Sequence, residues 1–134
     1  MAMKKLNIVL VILIIFSAAS FAGNSDPIDN KLQKATNGYI DALQSENPGI
    51  RNSALHQLTI LKAKYPNYDL TKVEKQVKRL SKKDSELLIR VNAEITYRYL
   101  TNKDLGNRIN IITNDPKTFF KELYSQVSDI EKVF

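Results

Sequence analysis

The side chains able to do acid–base, nucleophilic or metal chemistry in this sequence are few and dispersed. His56 is the only histidine, and there is no cysteine. A transition-metal site would need further ligands beside that imidazole, and no His/Cys/Asp/Glu cluster has the required spacing. Serines are plentiful, but with one histidine and neither a nucleophile elbow nor an oxyanion loop they form no triad. Carboxylates are scattered along the chain with no pair set apart for proton transfer, and no Gly-rich loop can cradle a phosphate. The expectation is therefore a non-catalytic protein with no cofactor and no metal, in which His56 occupies a surface or groove position.

The polar chemistry that does repeat belongs to arginine. Ser45-Glu46-Asn47-Pro48-Gly49-Ile50-Arg51-Asn52-Ser53-Ala54-Leu55 recurs as Asp84-Ser85-Glu86-Leu87-Leu88-Ile89-Arg90-Val91-Asn92-Ala93-Glu94, with both Arg51 and Arg90 and both Ala54 and Ala93 separated by 39 positions. A small alanine lets neighbouring helices approach. An arginine beside an apolar arc needs carboxylate or carbonyl partners if it is covered. A period of this length in helix-forming sequence is the signature of stacked helical repeats.

The elements that position these residues follow from apolar spacing. Asp26-Pro27 opens a helix with Ile28, Leu32, Ala35, Tyr39, Ile40 and Leu43 on one stripe, weakened at Gly38. Asn47-Pro48-Gly49 breaks the chain and starts a second helix, with Ile50, Ala54, Leu55, Leu58, Leu61 and Tyr65 inward. A third, over about 69–82, buries Leu70, Val73, Val77 and Leu80. Asp84 or Ser85 is expected to cap a fourth, with Ile89, Ala93, Tyr97 and Leu100 inward. A short helix with Leu105, Ile109 and Ile112 follows Thr101-Asn102-Lys103-Asp104. Asp115-Pro116 opens the last, with Phe119, Phe120, Leu123, Val127, Ile130 and Val133 inward. No strand alternation occurs. The predicted fold is all-α, with about six helices in three antiparallel pairs at about 27–65, 69–101 and 103–133.

Ahead of these lies a segment that reads as a targeting device. Lys4-Lys5 precede a run from Leu6 to Phe16 that is apolar except for Asn7, and Ser17 to Ala22 ends in small residues suited to cleavage after Ala22. Residues 1–22 are expected to be a signal peptide and 23–134 a single exported domain, periplasmic or secreted; an uncleaved leader would be its only membrane attachment. Without the leader's two lysines, the formal charge of +6 falls to +4. That is too mild for a dedicated nucleic-acid binder.

At Pro48 to Leu55 the chain resembles the HEAT-repeat family, whose second helices open with an acidic residue, often a proline, then an aliphatic-Arg-x-x-Ala run. The first copy keeps Pro48, Ile50, Arg51 and Ala54; the second keeps Asp84, Ile89, Arg90 and Ala93, with Leu87 in place of proline. The final pair keeps only Asp115-Pro116, as expected of a degenerate terminal cap. The resemblance implies a stacked helical superhelix in which repeat arginines join acidic residues of adjacent units. Asp84 is then the expected partner of Arg51 or Arg90, in a structural role.

Two surfaces suggest binding. A line on the second helices combines His56, Ile60, Asn92, Ile95, Arg98 and Tyr99, where a solenoid has its concave face. It is either an exposed recognition strip for another protein or a seam covered by the N-terminal segment or the final helix pair. Lys72, Lys75, Lys78, Arg79, Lys82 and Lys83 form a basic stripe, interrupted only by Glu74. It reads either as a solvated helix face or as an attachment site for an anionic envelope surface.

Overall fold

Capping groups and apolar periodicity decide where each helix begins and what it buries. The computed structural model describes residues 26–109 and 113–132. The expected leader at 1–22, Ile112 and Val133 lie outside them. Every regular element described is an α-helix, and the fold class is all-α: α1 Pro27–Leu43, α2 Pro48–Lys64, α3 Thr71–Lys83, α4 Leu87–Thr101, α5 Lys103–Arg108 and α6 Pro116–Glu131.

Short polar side chains satisfy the free amides at the helix starts. Asp26 Oδ1 accepts from the Ile28 amide at 3.0 Å ahead of α1. Asn47 caps α2, accepting from the Gly49 amide at 2.9 Å with Pro48 in the first turn. Asn102 and Asp115 cap α5 and α6 in the same way. Helix α4 departs from expectation. Its N-cap is Glu86, whose side chain makes no capping bond, and neither Asp84 nor Ser85 occupies that position. Asp84 closes α3 instead, and its carboxylate turns toward Arg51 while still accepting from the Glu86 amide at 2.9 Å.

The chain divides into two compact units between Ala35 and Thr36, inside α1. In the described part of the first, Leu32 is buried. In the second, α3 packs most extensively against α4, α2 lies beside α4, and α6 touches both α2 and α4. Their shared core holds Leu43, Leu55, Leu58, Val73, Val77, Ile89, Leu123 and Val127, together with the small Ala54 and Ala93. A fully buried Leu or Val stabilises the fold by roughly 1.5–3 kcal/mol relative to exposure.

Two residues of the expected stripes face solvent. Ile28 is exposed in the first turn of α1. Ile50 is 46% exposed, although its repeat counterpart Ile89 is buried. The reason is local: Ile50 lines an open groove with Tyr39, Ala42 and Ala54.

Candidate functional site

The two arginines singled out by the repeat adopt the same pose. Arg51 Nη1 donates to the carbonyls of Ser45 and Glu46 at 2.8 and 3.1 Å. Arg90 Nη1 donates to the carbonyls of Asp84 and Ser85 at 2.6 and 3.3 Å. Donor and acceptors shift together by 39 positions, so the sequence repeat is also a repeat of hydrogen bonds.

What fills the rest of each guanidinium differs. Arg51 Nη2 donates to Asp84 Oδ1 at 2.9 Å, and Nε lies 2.8 Å from Oδ2 as an ion-pair contact outside hydrogen-bond geometry. Both side chains are nearly inaccessible, so the charges compensate each other inside the protein. Asp84 thus serves Arg51 with its carboxylate and Arg90 with its carbonyl. Beside this rung, Asn92 Nδ2 donates to Asn52 Oδ1 at 2.7 Å, a second polar tie between α2 and α4. The residue after Arg90 is Val91, which is 43% exposed. Among the described residues, no group accepts from Nε or Nη2 of Arg90, which is only half-buried.

The expected strip on α2 and α4 is a seam and not an open surface. His56, Asn92, Ile95 and Tyr99 are buried, while Ile60 and Arg98 are exposed. Helix α6 covers His56: Phe119 places its ring centroid 4.5 Å from that of His56, and Phe120 lies edge-on at 6.4 Å. His56 is therefore neither a surface nor a groove residue, with only 2% of its area accessible. Among the described residues, its Nε2 has no hydrogen-bond partner. Desolvation pushes its pKa below the ordinary 6.5, against smaller opposite pulls from the Thr113 backbone and the Asp115 carboxylate. Burial likewise raises that of the Tyr99 phenol.

The basic stripe is open as expected. Lys72, Lys75, Lys78, Arg79, Lys82 and Lys83 are all exposed on α3. Lys78 Nζ sits 5.6 Å from the centre of the Tyr97 ring, which draws one charge toward α4.

A groove of about 480 Å³ opens where the end of α3, the outer side of α4 and the middle of α6 meet. Its walls include Lys82, Arg90, Val91, Glu94, Arg98 and Tyr124. Arg98 Nε is 3.3 Å from Glu94 Oε1, and among the described lining residues the charged groups are Lys82, Arg90, Arg98 and Glu94. Val91 and Tyr124 are exposed there, and Leu87 and Leu88 are exposed on the preceding turn of α4. Sequence reasoning placed none of Val91, Leu87, Leu88 or Tyr124 at a site. The available signal was the comparison of repeats, where exposed apolar Leu87 and Val91 replace Pro48 and Asn52.

Among the described residues, no group of three or more His, Cys, Asp or Glu could hold a metal ion, and no helix is long and apolar enough to cross a membrane. Compared with known proteins, the chain matches no family model, no curated protein and no solved structure.

Proposed function

We propose that this protein is an exported, non-catalytic helical-repeat module of the cell envelope that binds or scaffolds another protein. In this reading the segments 27–65, 69–101 and 103–133 are the pairs of a short HEAT-like stack, with the last pair as its degenerate cap. The observation that carries it is the repeated arginine pose, with Arg51 closed by the Asp84 carboxylate of the following unit. The side-by-side placement of α2 and α4, the second helices of their pairs, agrees with it. Stacked units of this type work by presenting an extended surface to a partner. The lone histidine is committed to packing against Phe119 and Phe120, which supports a binding role over a chemical one.

A second reading, attachment to an anionic envelope polymer or lipid surface through α3, draws on the uniform exposure of its six basic residues. Capture from envelope extract on the immobilised chain separates the two. Retention of a discrete protein through a high-salt wash is the expected result. Elution of polyanions or many acidic proteins at that step transfers the function to α3, because exposed charge pairing is screened by salt.

A further inference from the structure

The groove at Arg90 has an internal template for its occupant. At the first rung, the guanidinium of Arg51 is held by two upstream carbonyls and its free edge grips Asp84. The neighbouring Asn52 meets Asn92, eight residues beyond that aspartate. At the second rung, Arg90 is held by the equivalent carbonyls, but its Nε and Nη2 meet no acceptor among the described residues, and Arg90 lines a groove whose described walls also carry Lys82. The counterpart of Asn52 is Val91, an exposed apolar side chain with exposed Tyr124 in the same groove.

From this we infer that the Arg90 groove docks an acidic segment of a partner protein, whose aspartate fills the Arg90 fork as Asp84 fills that of Arg51. Planar bidentate pairing with a carboxylate is the chemistry for which a guanidinium is shaped. The exchange of Asn52 for Val91 specifies the rest of the segment: an apolar residue about eight positions after the aspartate stands where Asn92 stands in the first rung. Lys82 at the groove edge adds attraction for acidic sequence. This inference rests on the protein-binding reading and gives it an address.

The test uses the chain produced from its full coding sequence and a blocked acidic peptide copying Asp84–Ala93 with Arg90→Ala and Asn92→Leu. Binding is read from NMR shifts of the Arg90 Nε–H and of amides at 81–98 and 124–128. The expected result is saturable binding at millimolar peptide that weakens about tenfold or more when the peptide carries Asp84→Asn or the protein carries Arg90→Gln, a loss typical of a charged hydrogen-bonded pair. Unchanged shifts with the peptide, equal binding of the Asp and Asn peptides, or full affinity in Arg90→Gln would overturn the proposal. Succinate saturating the same shifts as tightly as the peptide would also overturn it, marking a small-acid site. Denaturation midpoints confirm that Arg90→Gln remains folded. Failure of the peptide alone removes the Arg90 address, whereas a chain that captures no envelope protein on any face removes the binding reading itself.

Discussion

Replacing Asp84 by alanine isolates the rung between the helix pairs. In the native protein its carboxylate neutralises Arg51, whose side chain is 10% accessible, and also accepts from the Glu86 amide. Asp84→Ala leaves the Arg51 guanidinium covered, with only the Ser45 and Glu46 carbonyls at Nη1. Stranding one member of a buried ion pair costs about 3–5 kcal/mol. Loss of the Glu86 contact adds about 1 kcal/mol. The variant is therefore expected to lose about 4–6 kcal/mol, enough to unfold a marginal domain. Arg90→Ala is the control, because it removes carbonyl contacts but strands no buried carboxylate; about 1–2 kcal/mol is expected. Both values come from urea denaturation followed by circular dichroism. The double variant Arg51→Met/Asp84→Leu should recover much of the loss, since apolar side chains of similar size tolerate the interior. Equal, small losses for Asp84→Ala and Arg90→Ala, or strictly additive effects of Arg51→Met and Asp84→Leu, would refute the buried rung.

Other expectations follow from burial and titration. Leu58→Ala should destabilise the fold by about 2–5 kcal/mol, because Leu58 is fully buried, while Lys75→Ala on the exposed face of α3 changes it by less than about 0.5 kcal/mol in the same urea assay. Gly38→Ala should raise stability by about 0.5–1 kcal/mol, since a Cβ there meets open space within α1; a loss on thermal melting would contradict that geometry. His56 makes stability depend on pH in a defined direction. Its folded-state pKa lies below 6.5, so the unfolded chain takes up its proton first as the pH falls. The contribution is fully present above about pH 6.5 and declines as the pH drops through the folded value. Urea midpoints between about pH 7.5 and pH 5 should fall more in the native protein than in His56→Leu, and parallel curves would contradict the buried neutral imidazole.

Much of this architecture is readable from local chemistry. Stripes such as Leu70 at the N-cap of α3 with Val73 and Val77 within it, and Ile89, Ala93 and Leu100 in α4, need only helical spacing, and all are buried. Asn47-Pro48 and Asp115-Pro116 carry their own capping chemistry. Asp84 as the partner of Arg51 or Arg90 was an implication of the HEAT-like resemblance, but the choice of Arg51 required knowing how α2 and α4 lie together. The fate of His56 was not legible. Periodicity tells that Phe119 and Phe120 seek cover, and only tertiary packing of α6 brings their rings onto the second line of α2. Tertiary packing likewise makes Asn92, Ile95 and Tyr99 interior residues instead of candidate recognition residues. The groove escaped notice because its residues come from three helices, with no spacing of their own to betray them.

On the proposal above, the protein docks a partner through the rung left open at Arg90. The most direct measurement is site-specific photocrosslinking in intact envelopes, with a photoreactive phenylalanine analogue replacing Tyr124 in the groove and, separately, Lys75 on α3. The expected result is one discrete protein adduct from position 124, diminished by Arg90→Gln and by competition with the aspartate peptide but not its asparagine counterpart. Adducts formed only from position 75, or an adduct at 124 indifferent to both Arg90 and the peptide, would contradict it.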